Sequence, residues 1–325
     1  LINYDSSPKV SVVIPVFNGE RFIGDAIQSA LDQTFRDFEI IVVDDGSTDR
    51  TERIVRQFSG SISYHRQENR GAGAARNLGA ALTKGEWIAF LDADDVWCPQ
   101  KLSIQMDATS TNPEVSFVYC DMDVIDMDGV VIQTGFLGAK LARRKRKNRW
   151  NLVSLAFNGQ PFPYPSTVLL KRELFMKAGG FSPLFRRNYH EDFDLFARVA
   201  GFTPLYFIPQ RLVKYRKVPR TPIGENPSEE NWPVLLRRLA DLWRDDANRL
   251  KVVDWLLVKH SSDRGKRFMR SGDWVRAREC FRSAFRQRPF YWKNLRRWGL
   301  SYLPGAREFY VIRKGKRVVT WSGEG

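Results

Sequence analysis

The sequence predicts an α/β fold built on a mixed, mainly parallel sheet and followed by a helical appendage. Over the first ~120 residues, short apolar runs alternate with stretches at helical spacing, the pattern of strands joined by crossover helices. The apolar runs end in acidic or glycine-containing segments, as parallel strands do at the edge where open sheets bind ligands. Beyond residues 219–233, which hold four prolines, the pattern turns helical.

Val10 to Val16 reads as the first strand and ends at Pro15-Val16-Phe17-Asn18-Gly19. A helix with Phe22, Ala26, Ile27, Ala30 and Leu31 on one face follows. Phe38 to Val43 is the second strand, closing on Asp44-Asp45-Gly46-Ser47, with Ser47 as N-cap of a helix carrying Ile54, Val55 and Phe58. After a short strand at Ile62 to His65, Gly71-Ala72-Gly73 opens a helix through Ala81. Trp87 to Leu91 is a buried strand that runs into Asp92-Ala93-Asp94-Asp95. Pro99 starts a helix through Met106.

Val115 to Tyr119 reads as a strand, and Ile125 to Ile132 as a hairpin around Asp128-Gly129. The stretch from about 135 to 165 is loop-rich. Ser166 to Leu170 is a strand, Gly179-Gly180-Phe181 a turn, and Glu191 to Ala200 a helix. Leu205 to Ile208 and Leu212 to Tyr215 are two short strands. Residues 219–233 read as a linker, and 234–325 as a helical region. Within that region Phe268, Gly272-Asp273-Trp274, Ala277, Phe281 and Pro289 resemble a single tetratricopeptide-like hairpin.

Composition narrows the class. The chain has 325 residues, 43% of them hydrophobic, with 10 Trp and 22 Phe, which is globular and not disordered. Cys98, Cys120 and Cys280 are far apart, which argues against a disulfide framework or a zinc site and fits a reducing compartment. No apolar run approaches the ~18–20 residues of a membrane span, and Leu1 begins the sequence without a secretory-leader pattern. The net charge of +15 concentrates in Arg143-Arg144-Lys145-Arg146-Lys147-Asn148-Arg149 and after about residue 235. It points to an anionic membrane surface or to a solvated basic exterior. No nucleic-acid-binding motif accompanies it, so no nucleic acid is expected.

Three carboxylates at a strand edge repel one another unless a cation or polar ligand sits among them. Hard ions such as Mg²⁺ or Mn²⁺ take one or two such oxygens together with those of a diphosphate. Asp45 ends a strand where a carboxylate accepts an N–H from a nucleotide base, and Phe17 is placed to stack on that base. Asp44 suits the helix cap. Glu191 and Asp192 open a helix, where acids complement the dipole and where a carboxylate also serves as a general base. Gly71-Ala-Gly-Ala-Ala-Arg76 echoes a dinucleotide fingerprint, with Asp92 about 20 residues on. Arg76 replaces its third glycine, however, and the motif follows the third strand, which argues against a nicotinamide dehydrogenase. Arg76 either faces a diphosphate or pairs with one of the Asp92 to Asp95 carboxylates.

Taken in order, Val10-Ser-Val-Val-Ile-Pro-Val-Phe-Asn18, Asp44-Asp-Gly-Ser-Thr-Asp49, Gly71-Ala-Gly-Ala-Ala-Arg-Asn77 and Phe90-Leu-Asp-Ala-Asp-Asp95 resemble the motifs of family 2 inverting glycosyltransferases. Gly179-Gly-Phe181 and His190-Glu-Asp-Phe-Asp194 continue the series, and the resemblance spans residues ~8 to ~217. It implies a GT-A fold, an αβα sandwich in residues 1–218 with a donor half at about 8–120 and an acceptor half at about 121–218. It implies a nucleotide-sugar donor, with UDP-sugar foremost, bound by Pro15, Phe17, Asn18, Asp45, Arg76, Asp92 and Asp94. Asp92 is assigned to the ribose and the metal, and Asp94 to the metal, Mg²⁺ or Mn²⁺. Asp192 is the base and Glu191 its support.

The family often carries a histidine after the last strand. Here Tyr215-Arg-Lys-Val-Pro219 puts Val218 in that slot, leaving Arg216 or Lys217 as candidates to hold phosphates. Asn294-Leu-Arg-Arg-Trp298 echoes the Gln-x-x-Arg-Trp motif of processive synthases only in part. The expected enzyme therefore adds single sugars to a glycan or lipid-linked acceptor, in the cytoplasm or at the inner face of the membrane. The alternative is a non-catalytic scaffold that binds nucleotide or glycan.

Overall fold

The computed structural model describes residues 7–139, 161–185, 190–218 and 227–287. In chain order the elements are β1 (Val10–Val16), α1 (Ile23–Leu31), β2 (Phe38–Asp44), α2 (Thr51–Val55), β3 (Ser63–Arg66), α3 (Ala72–Leu82), β4 (Trp87–Phe90), β5 (Val96–Trp97) and α4 (Lys101–Thr111). There follow β6 (Phe117–Ile125), β7 (Val131–Gln133), β8 (Val168–Lys171), α5 (Arg172–Lys177), α6 (Glu191–Val199), β9 (Tyr206–Arg216), α7 (Pro227–Leu242), α8 (Ala247–Arg270) and α9 (Trp274–Gln287).

The strands form one sheet in the order β3-β2-β1-β4-β8-β6-β9-β5, with β7 paired to β6. The β3-β2-β1-β4 half is parallel, and its strands β1 and β4 are buried along their whole length. That is why they read as mostly apolar runs and not as alternating ones. The sheet turns mixed at β8, which runs antiparallel to both β4 and β6. Parallel register aligns Val16 with Asp44 and Val13 with Phe90. The loops after β1, β2 and β4 therefore emerge at one edge.

Several local expectations change. The helix expected after Ser47 starts later, at Thr51, because Ser47 Oγ accepts the Asn18 N–H (2.9 Å) and the Asp49 carboxylate takes the Thr51 N–H (3.0 Å). The two short strands expected after residue 205 are one strand, β9. Its register on β6 jumps from Ile208↔Cys120 to Arg211↔Asp121, a bulge that absorbs Pro209, which has no N–H to give a ladder. The linker expectation also shifts. Residues 219–226 lie outside the described residues, but 227–233 are the first turns of α7. Pro227 occupies a first helical position, which needs no N–H. Pro233 lies inside the helix at a cost of about 3 kcal/mol, offset by the buried Leu235, Leu236 and Leu239, each contributing ~1.5–3 kcal/mol.

The chain divides into two compact units, Leu1–Leu242 and Trp243–Gly325, so α7 joins the first and packs on α6. In the second, α8 and α9 pack against each other. Met269, Ala277 and Phe281 make the core between them, flanked by Phe268 and Trp274; Pro289 lies outside the described residues. Among the described residues no helix is long and apolar enough to cross a membrane. The segment Arg143–Arg149 is likewise outside them.

Lys101 is an unexpected core residue. It is fully buried, with Nζ donating to Gln105 Oε1 at 2.8 Å and lying 3.9 Å from the Trp97 ring centre. Burial lowers its pKa from 10.5 to about 8. Between those values the unfolded chain holds a proton that the folded chain lacks, so this lysine makes stability rise with pH, by up to about 3 kcal/mol across the window. Buried Cys120, pushed up from 9.0 to about 12, opposes it above pH 9. We therefore expect Lys101→Met to gain most over the wild type near pH 7 and progressively less toward pH 9.5 in urea titrations. A stability difference that stays constant from pH 7 to 9.5 would show that Lys101 does not titrate there.

Candidate active site

Phe17 leaves β1 half exposed (51%). Asn18 follows in a left-handed conformation (φ 49°), held because its Oδ1 accepts the Thr48 N–H (2.8 Å) while its own N–H donates to Ser47. Asn18 thus latches the β1 loop to the β2 loop, and Pro15 sits in the strand that aims both. Asp44 is not the helix cap that the sequence suggested: α2 starts only at Thr51, with Arg50 at its N-cap and no side-chain cap bond, and Asp44 closes the turn after β2 instead. It is buried, accepting the Ser47 N–H and the Tyr64 hydroxyl, both at 2.7 Å.

Asp45 is also buried, and its carboxylate accepts Gln67 Nε2 (2.6 Å), Arg70 N–H (2.9 Å) and Gly71 N–H (2.7 Å). About one of a carboxylate's four lone-pair sites remains for a ligand. Gly71 adopts φ 92°, a conformation open to glycine, and so turns its N–H toward Asp45. Gly73 faces protein: a Cβ there would lie 3.3 Å from Phe181 Cβ and 3.6 Å from Glu191 Cγ. Its small size lets the start of α3 approach the start of α6.

The acids after β4 divide by role. Asp95 is buried and structural, accepting the Ser166 hydroxyl (2.5 Å) and the Arg216 N–H (2.8 Å). Burial, with Asp94 and Asp92 nearby, raises its pKa well above the carboxylate range. Ser166 also accepts the Asp92 N–H (3.0 Å). No sequence signal marks Ser166, because its role arises only where β8 meets β4. Asp94 is raised to about 6 by burial first and then by the charge of Asp92. Arg216 donates to the carbonyls of Asp94, Asp126 and Met127 and lies 4.4 Å from the Phe22 ring. It is a clamp on the loop and so leaves the set of phosphate-holding candidates. Lys217 is exposed.

Arg76 connects the two halves. It is 5% exposed, bonds Asp92 Oδ1 through Nη2 (2.5 Å) and lies 3.8 Å from Glu191 Oε1. The ion pair is the one weighed from the sequence. Its Nε and Nη1, and Glu191 Oε2, are buried without hydrogen-bond partners, each at a cost of about 1–3 kcal/mol; an oxygen-rich ligand would satisfy the two Arg76 donors, and a hydroxyl donor the Glu191 oxygen. Asn77 exchanges two 2.8 Å bonds with the Phe181 backbone, which holds the Gly179-Gly180-Phe181 turn against α3. Burial, then Asp192, lifts Glu191 to about 7. Burial also raises Asp192, whose Oδ1 accepts the Phe193 N–H (2.7 Å).

Donor-side and base-side carboxylates thus meet around one guanidinium. Among the described residues no cluster of three or more His, Cys, Asp or Glu is gathered for a metal; Asp92 and Asp94 supply two hard oxygen donors. His65 lies on β3, His190 at the start of α6 and His260 in α8.

The sequence pattern of "Glycosyl transferase family 2" matches residues 11–188. The chain belongs to that family. This family 2 glycosyltransferase is 32% identical over 260 residues to an uncharacterized glycosyltransferase of Rickettsia prowazekii, covering 79% of this chain and 77% of that one. A second, from Rickettsia typhi, is 35% identical over 258 residues with the same coverage. Chondroitin synthase of Escherichia coli is 33% identical over 141 residues, 42% of this chain and 21% of that one. Among solved structures, TarS 1-349 of S. aureus in complex with UDP superposes with a TM-score of 0.65 at 17% identity, over 97% of this chain and 95% of that one. The same protein is also solved with UDP-GlcNAc. The mixed, mainly parallel sheet of the family 2 glycosyltransferase is therefore the GT-A fold.

Proposed function

We propose that this enzyme transfers a sugar, with inversion, from a UDP-sugar to a hydroxyl of a glycan or lipid-linked acceptor. The observation that carries the reading is Arg76, buried between Asp92 and Glu191 with unpartnered N–H groups. It brings a phosphate-binding cation to the junction of the donor-side and base-side acids. Phe17 offers an exposed face for the base, Pro15 and Asn18 shape that end of the cleft, and Asp45 keeps a lone pair for a base N–H.

Asp92 and Asp94 fit a hard divalent ion, since a cation between them relieves the burial and repulsion that raise Asp94. Mg²⁺ or Mn²⁺ bound there would neutralise charge on the departing diphosphate. Asp192 accepts the proton of the acceptor hydroxyl as that oxygen bonds to the anomeric carbon. The anomeric C–O bond to phosphate breaks, and its electron pair leaves with the nucleoside diphosphate. A single displacement of this kind inverts the centre. Glu191 supports the pair by holding Arg76. With Val218 in the histidine slot, Asp92 and Asp94 carry metal binding alone.

The deciding experiment is nucleoside diphosphate release from a panel of nucleotide sugars with Mg²⁺, Mn²⁺ or EDTA. Turnover of a UDP-sugar that EDTA abolishes is expected. Silence across the panel removes the reading, and turnover that survives EDTA removes the metal.

We also propose that the enzyme works in the cytoplasm at the inner face of the membrane, drawn there by its +15 charge. Each basic side chain near an anionic surface contributes ~1 kcal/mol, screened by salt. Sedimentation with phosphatidylglycerol vesicles but not with phosphatidylcholine vesicles, reversed by salt, is the expected result. Equal partitioning to both leaves the charge as a solvated exterior.

A further inference from the structure

We propose that α7, which lies beyond the family match at residues 11–188, holds the catalytic helix α6 in register through two positioning residues, Arg238 and Trp232. The inference rests on the reading of Asp192 as the base.

The placement of Asp192 is set by how the chain enters α6. It enters through His190 at φ 71°, a left-handed conformation that a non-glycine residue keeps only when its surroundings impose it. Two contacts from α7 contribute to those surroundings. The Trp232 ring lies 5.4 Å from the His190 ring, centre to centre. Arg238 reaches Asp194, two residues beyond the base, with Nε on Oδ1 at 2.6 Å and Nη2 on Oδ2 at 3.4 Å. Asp194 is buried, and its N–H returns to the His190 carbonyl at 3.0 Å. Fixing the Asp194 carboxylate therefore fixes the turn on which Glu191 and Asp192 stand.

The connection continues past α6. Arg198 also holds Asp194, through Nε (3.0 Å) and Nη2 (2.6 Å). Its remaining N–H groups bond the carbonyls of Ala178 and Gly180. That turn ends at Phe181, whose ring centre lies 5.2 Å from the Arg76 guanidinium. From α7 to Asp92 the contacts are continuous: Arg238, Asp194, Arg198, the Gly180 turn, Phe181 and Arg76. Two guanidiniums share one carboxylate, so removing Arg238 leaves Asp194 paired with Arg198. The fold survives that loss, and what disappears is the restraint from α7.

Hydrogen exchange on the full chain tests this without any donor. In Arg238→Met and Trp232→Leu, peptides covering His190–Phe196 should exchange about 10-fold faster or more, while those covering Val10–Val16 and Trp87–Leu91 stay unchanged. Arg238→Lys should restore part of the protection. Unchanged exchange at 190–196 in both α7 variants overturns the proposal, as does a uniform rise across the first unit, which would mark a general loss of stability.

Kinetics gives the second readout. With UDP-GlcNAc or whichever UDP-sugar turns over, kcat should fall about 10-fold. Donor KM and UDP binding stoichiometry by calorimetry should hold. A fall in stoichiometry instead would assign Arg238 to folding alone. Were Asp192→Asn to leave turnover intact, the assignment of the base would fail, while the exchange result would still decide whether α7 restrains α6.

Discussion

Asp192→Asn should lower transfer turnover by ~10²-fold or more with UDP affinity unchanged. Asparagine keeps the shape and can still accept the Phe193 N–H that Asp192 Oδ1 accepts at 2.7 Å, so α6 should begin where it does now. What it loses is a site for a proton. Burial raises the pKa of Asp192 from its ordinary value, which makes it a better proton acceptor than a solvated aspartate. Glu191→Gln should be milder. Glu191 lies 3.8 Å from Arg76, and its raised pKa of about 7 leaves it partly protonated near neutrality. A greater loss in Glu191→Gln than in Asp192→Asn would move the base to its neighbour.

The second large effect concerns the loop after β4. In calorimetry with UDP, the wild type should bind more tightly with Mn²⁺ than with EDTA, and Asp94→Ala should lose that difference entirely. Asp92 already bonds Arg76 at 2.5 Å, whereas Asp94 gives its backbone carbonyl to Arg216 (2.9 Å) and its carboxylate is in no ion pair among the described residues. Its carboxylate is therefore the one that a cation can take without displacing an existing ion pair. The mutant should fold normally, because the side chain that ties this loop to Ser166 and β9 is that of Asp95, and the Asp94 carbonyl that Arg216 holds is kept in alanine. Persistence of the Mn²⁺ effect in Asp94→Ala would place the ion elsewhere.

The parallel half of the sheet was legible because its central strands β1, β2 and β4 are largely buried, so each is a mostly apolar run that ends in polar residues. The second half was less so. β9 looked like two strands because a bulge at Pro209 interrupts its pattern, and a bulge is visible only with its partner strand present. The start of α7 was hidden by Pro227 and Pro233, whose local preference is overridden by three leucines that find their core only in the folded chain. At the site, the Glu191–Asp192 helix start could be read from the sequence, and the Arg76–Asp92 pair only as one of two alternatives. Ser166, the clamp role of Arg216 and the bond from Arg238 to Asp194 could not. Each joins segments far apart in the chain, and nothing local requires a serine or an arginine there.

Arg76 has one further consequence. A guanidinium seated among these acids means the cleft is not a bare negative well. On the proposed reading, a lone divalent ion must compete with an arginine for Asp92, and a lone diphosphate meets carboxylates that repel it. A diphosphate arriving with its cation would satisfy both at once, since Asp92 could then turn to the metal and Arg76 to a phosphate. On that reading the resting charge balance would act as a filter on what enters, favouring the ion–nucleotide pair over either member alone.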